Sequence, residues 1–128
     1  MYAPLTPPEK TRRAARQPYT PRACDSVIAL VARQQRVPIK LLAHERRGPV
    51  PVARARQLAM YLSHVVLGRT MAEIGQAFGR DRTTVSYACS LIEDMRDDRE
   101  FDDSVILLER ELELALALAP AEAMRHAA

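Results

Sequence analysis

Two helical patterns meet at a single glycine in the stretch MAEIGQAFGRDRTTVSYACSLI, residues 71–92, and this junction limits the possible folds more than any other feature of the chain. Thr70 and Glu73 have the T-x-x-E spacing of a capping box, in which the threonine hydroxyl accepts the Glu73 amide and the Glu73 carboxylate accepts the Thr70 amide. The spacing predicts a helix that begins at Met71. Met71, Ile74 and Phe78 then recur as one buried stripe, and Gly79 follows where a left-handed residue closes a helix. Asp81 can cap a second helix by accepting from the amides of Thr83 or Thr84, with Val85, Ala88, Ile92 and Met95 as its buried stripe. Gly75 lets the two helices approach closely at their crossing. These are the parts of a helix-turn-helix, with Arg82, Thr83 and Thr84 in the exposed first turn of the second helix, the portion that reaches base edges in a DNA major groove. A plain helical hairpin has the same spacing, so the choice rests on the rest of the chain.

The remaining length sets the fold class. A chain of 128 residues that is 48% hydrophobic fills one small core and leaves room for a tail, not for a second domain. Helix formers dominate, and no run alternates apolar and polar residues long enough for a strand. The expected class is all-α, a helical bundle.

The net charge of +3 conceals a gradient: residues 1–56 carry +9, residues 57–92 carry +1, and residues 93–128 carry −7. A basic front half suits a polyanion, since each neutralised phosphate releases condensed counterions. The polyanion-facing surface is therefore expected upstream of residue 93, unless the basic and acidic segments simply pair with each other. No apolar leader opens the chain and no run approaches a membrane span, so the expected location is the cytoplasm, on the nucleoid, with no membrane partner. Cys24 and Cys89 both fall on buried stripes and read as reduced core residues. His44, His64 and His126 lie far apart without further ligands at metal spacing, and there is neither a GxxxxGK phosphate loop nor a nucleophile elbow. The expectation is a protein that is not an enzyme and holds no metal or cofactor.

Along the chain, residues 1–19 combine Pro4, Pro7, Pro8 and Pro18 with Lys10, Arg12, Arg13 and Arg16, a composition read as a disordered basic arm. The folded domain is expected over residues 20–119, with a flexible tail over 120–128. Thr20 and Pro21 look like a cap and first turn, leading a helix through Cys24, Val27, Ile28 and Val31 to about Gln35. A short helix around Pro38 to Ala43 leads into HERRGPVPVAR, whose Gly48, Pro49 and Pro51 are expected to prevent regular structure. A long helix from about Val52 to Leu67 turns Ala55, Leu58, Ala59, Leu62 and Val66 inward, and Gly68 ends it. The last helix, Val105 to Ala119, carries one leucine row, Leu108, Leu112 and Leu116, and a second, Leu107, Leu114 and Leu118. One row closes the core; the second is a surface for self-association or for a partner helix, or is simply buried as well.

LLAHERR, VARARQLAMYLSHVVLG and MAEIGQAFGRDRTTVSYACSLIEDMR together resemble domain IV, the C-terminal DNA-binding domain of the bacterial replication initiator DnaA. The resemblance covers about residues 22–118, and its specific segments are A-R-x-R-Q-x-A-M, E-I-G-x-A-F-G and R-D-x-T-T-V. It implies a Trp-repressor-like arrangement of the helices and double-stranded DNA as partner, read at a DnaA box of about nine base pairs by a helix in the major groove. In the R-D-x-T-T segment, Arg80 leads, Asp81, Arg82 and Thr83 take the base-reading positions, and Thr84 holds a phosphate. Asp81 would accept from a cytosine amino group and the Thr83 methyl would lie on a thymine methyl. Arg46 and Arg47 match the basic pair that enters the minor groove, Arg47 being the inserted one, and Arg56 and Gln57 match the R-Q that clamps the DNA backbone. The chain departs from the family pattern at three places. Gly79 stands alone where the family has two glycines, so the second helix is expected at a shifted angle. Arg82 replaces a histidine and adds a permanent charge for a phosphate or a guanine, which alters sequence preference. GPVPV makes the basic loop longer and less basic. The ATPase module of DnaA has no counterpart in these 128 residues, which suggests a protein that modulates replication initiation at DnaA-box-like sites. An adaptor that works through the initiator or a regulator of its nucleotide state, and a transcriptional regulator, are the other readings.

Overall fold

The computed structural model describes residues 23–43 and 50–127, and the side chains of these except 43 and 119–127. Helices follow in the order α1 Asp25–Gln35, α2 Ile39–Ala43, α3 Val50–Val65, α4 Met71–Phe78, α5 Arg82–Met95 and α6 Arg99–Ala127. No strand occurs among the described residues, so the fold is all-α.

The centre is α3, which touches α1, α2, α4 and α5. It buries Ala55, Leu58, Ala59 and Leu62 as its pattern requires, and Met60, Tyr61 and Ser63 as well, so it is covered on nearly every side. The Ser63 hydroxyl is satisfied by donating to the Ala59 carbonyl at 2.8 Å. The helix begins at Val50, two residues before the expected start, with Pro51 inside its first turn. Proline is tolerated there because the amide it lacks has no intrahelical acceptor. At the other end of the domain, α1 begins at Asp25 and not just after Thr20, with Cys24 at the N-cap position; Thr20 and Pro21 lie outside the described residues. It ends at Gln35 as the pattern predicts, although the closing left-handed residue is Arg36 at φ 59°, and the Val37 amide reaches back to the Ala32 carbonyl at 3.0 Å.

The capping box at the start of α4 forms in both directions: the Glu73 amide donates to Thr70 Oγ1 and the Thr70 amide to Glu73 Oε1, each at 3.1 Å. Gly79 closes α4 at φ 65°, a conformation that costs a side chain about 1–2 kcal/mol and glycine nothing. Ile74 and Phe78 are fully buried, and Met71 packs beside them.

Helix α6 starts at Arg99, where Asp98 Oδ2 accepts the Phe101 amide at 2.9 Å, and it runs to Ala127, past the expected end at Ala119. The extension through AEAMRHA follows from strong helix formers after Pro120. The two leucine rows separate cleanly. Val105, Leu108 and Leu112 are buried and Leu116 packs against the core, whereas Leu107, Leu114 and Leu118 are 57%, 63% and 60% exposed. The joint between α5 and α6 is held by Arg96. Its guanidinium donates to Tyr61 Oη on α3 at 3.0 Å, to Glu109 Oε2 on α6 at 2.8 Å and to Asp102 Oδ1. Burial opposes the charge, but the hydrogen bonds to Glu109, Asp102 and Tyr61 outweigh it and hold Arg96 above its ordinary value. Cys24 and Cys89 are both buried free thiols; burial pushes Cys24 up and Cys89 up to about 11, which keeps both protonated.

Candidate nucleic-acid interface

The two faces of α5 are sharply divided. Val85, Ala88, Cys89 and Ile92 are buried, while Asp81, Arg82, Thr83, Thr84, Ser86, Tyr87 and Ser90 are exposed. One face anchors the helix, and the other is presented to solvent from its first turn onward. At about 100° per residue, Thr83 lies opposite the buried stripe, and Arg82 and Thr84 flank it on either side. In a groove this arrangement points Thr83 toward the floor, and Arg82 and Thr84 toward the phosphate-lined walls.

The turn that delivers this face is tight. The Arg80 amide donates to the Gly75 carbonyl at 2.8 Å, and a Cβ on Gly75 would lie 2.5 Å from the Arg80 carbonyl oxygen. Glycine is needed because the turn backbone itself, more than α5, lies against α4. Arg80 is half-buried and donates to the Phe78 carbonyl at 3.1 Å, bracing the turn. Asp81 occupies the N-cap position with extended backbone, and its carbonyl accepts the Thr84 and Val85 amides at 3.0 and 3.2 Å. Its carboxylate does not cap, contrary to the expectation that it bonds Thr83 or Thr84. The exposed carboxylate makes no bond to those amides, which leaves an acceptor and the positive end of α5 side by side.

Arg56 also departs from expectation. It is 5% exposed, with Nε donating to the Leu42 carbonyl at 3.0 Å and Nη2 to the Leu41 carbonyl at 2.6 Å. Both carbonyls belong to the last turn of α2, a five-residue helix that cannot satisfy them itself. The guanidinium caps α2 and fastens it to α3. Gln57 is half-buried on α3, and its Oε1 is buried with no partner among the described residues. Arg46 and Arg47 lie outside the described residues. The structure therefore brings Arg80, Asp81, Arg82, Thr83 and Thr84 together at one turn and sets Arg56 apart from them in the interior.

With this geometry in view, comparison with known proteins settles the family. Residues 24–92 match the model of the bacterial DnaA protein helix-turn-helix. The chain belongs to the bacterial DnaA helix-turn-helix family. It is 47% identical over 74 residues to the chromosomal replication initiator protein DnaA of Zymomonas mobilis, and 40% identical over 80 residues to that of Psychromonas ingrahamii. These alignments cover 56% and 62% of the chain but only 15% and 17% of the two relatives. The family-model match ends at Ile92, before α6, and leaves the exposed leucines outside it. Among the described residues no group of His, Cys, Asp and Glu could hold a metal ion, and no helix is long and apolar enough to cross a membrane.

The motif directs attention to the first turn of α5 and away from Tyr87, which is 64% exposed on the same face. The signal was in the sequence, since Tyr87 falls off the Val85, Ala88, Ile92 stripe. Arg96 was not legible in that way, because Tyr61 lies 35 residues away.

Proposed function

We propose that this protein binds double-stranded DNA at DnaA-box-like sites by laying the exposed face of α5 in the major groove, and that occupancy of those sites modulates chromosomal replication initiation. The action is binding, with no catalytic step, and takes place in the cytoplasm on the nucleoid. The observation that carries this reading is the exposed turn from Asp81 to Thr84, presented by a helix whose other face is locked into the core of a DnaA-type domain. Asp81 and Thr83 supply base contacts, Arg82 and Thr84 hold phosphates on the two walls, Arg80 braces the turn, and Gln57 adds a backbone contact from α3. Arg46 and Arg47 serve the minor groove from the preceding loop. Thr83→Ala is expected to weaken a box-containing duplex by roughly 1–2 kcal/mol and to flatten preference over random DNA, as for loss of one base contact. Unchanged preference in a competition assay would remove the major-groove role. Genome-wide occupancy tests the cellular reading: peaks at DnaA boxes are expected whether or not the initiator is present.

The exposed row Leu107, Leu114, Leu118 favours a second reading, an adaptor that acts through the initiator, a regulator of its nucleotide state, or a second copy. Peaks that vanish without the initiator would select it. Replacing Leu114 and Leu118 with glutamate is expected to change stability by no more than about 0.5 kcal/mol, because both are on the surface, while abolishing self-association or partner capture. Loss of cooperative melting in circular dichroism would instead place the row in the core.

A further inference from the structure

We infer that Tyr87 is a specificity residue, its ring packing on the C5-methyl of a thymine beyond the one met by Thr83. The inference rests on the proposal that α5 reads the major groove. Tyr87 is the one large apolar side chain on the exposed face of α5 among the described residues, and it stands 64% exposed. Its neighbours on that face, Thr83, Ser86 and Ser90, are short, so the ring rises above them. Glu93 and Asp94, exposed near the end of the helix, mark where this face leaves a polyanion. The stretch compatible with DNA is therefore residues 82–90, and Tyr87 lies near its middle.

Angular position separates a base contact from a phosphate contact. Tyr87 is four residues after Thr83, about 40° around the helix and about 6 Å along it, whereas Arg82 and Thr84 are turned by about 100° toward the walls. A side chain so close to the centre line points to the groove floor. A rise of 6 Å is about two base-pair steps, so Tyr87 and Thr83 meet different pairs. What the major groove offers a ring there is the thymine methyl, the apolar group on a base edge.

The test measures affinity for a box-containing duplex and for versions in which each thymine in turn is replaced by deoxyuridine, which lacks only the methyl. Wild type is expected to lose roughly fourfold at one or two thymines beyond the Thr83 contact, the size of burying one methyl group. Tyr87→Phe is expected to keep that loss, and Tyr87→Ala to abolish it there while other thymines keep their effect; circular dichroism checks that both remain folded. If Tyr87→Ala keeps the full thymine discrimination, the inference is overturned, whether affinity is unchanged, as for a solvent-facing ring, or falls on all duplexes with a shallower salt slope, as for a phosphate contact. Failure of the underlying reading has a separate signature: wild type would then fail to prefer any box over a scrambled duplex, and Thr83→Ala would change nothing.

Discussion

Gly75→Ala is expected to destabilise the domain by about 3 kcal/mol, the upper end for overpacking an interior, and to weaken DNA binding further by displacing the turn. The added Cβ would sit 2.5 Å from the Arg80 carbonyl oxygen and 3.5 Å from the Asp81 carbonyl carbon and the Arg82 amide nitrogen. Backbone is what it meets, so no rotamer change relieves the contact. Nor can the turn recoil freely, because the Arg80 amide is tied to the Gly75 carbonyl at 2.8 Å. Whatever gives way carries Asp81 to Thr84 with it. Gly79→Ala provides the contrast: no atom lies within 4 Å of its added Cβ, so only the left-handed φ of 65° is penalised, and a loss of about 1 kcal/mol is expected. Urea melts of the two variants check the order; equal losses would show that the close approach at Gly75 relaxes easily.

Arg56→Ala is expected to cost about 3 kcal/mol of folding stability, since it removes two charge-assisted bonds and leaves the carbonyls of Leu41 and Leu42 without them in the interior. Arg56→Lys should recover only part, because a single ammonium cannot match a planar fork that serves two successive carbonyls. The readout separates this role from a phosphate clamp. A clamp would leave the melt unchanged and reduce the slope of log affinity against log salt by about one. An α2 cap shifts the melt and leaves that slope nearly intact once binding is measured well below the transition.

How much could be read from the sequence depended on the range of each interaction. The Thr70–Glu73 box, the Gly79 stop and the leucine rows of α6 were legible because each is fixed by residues within a few turns of each other. Exposure of Arg82, Thr83 and Thr84 was legible for the same reason, since Val85, Ala88 and Ile92 fix the opposite face. The interior bonds of Arg56 were not legible because its partners are 14 and 15 residues away, and no local pattern reports where the end of α2 meets α3. The Asp81 carboxylate was misassigned because residue type favours a cap, while the backbone carbonyl of the same residue already accepts two amides and a rotamer facing solvent stays open to it. Pro51 misled in the opposite sense: a residue that ends helices also begins them.

The Arg96 joint has a mechanical consequence. Only residues 96–98 separate α5 from α6, and so short a connection would ordinarily swing. Here any rotation of α6 about it must part a guanidinium from Asp102 and Glu109 on α6 or, if the guanidinium follows α6, from the Tyr61 hydroxyl on α3. The two helices thus keep one fixed bearing, like the arms of a set square. If α5 sits in a groove as proposed, α6 takes its direction from the axis of the duplex, and a partner held by Leu107, Leu114 and Leu118 would be presented at a set angle to the DNA and on the same side of the double helix each time.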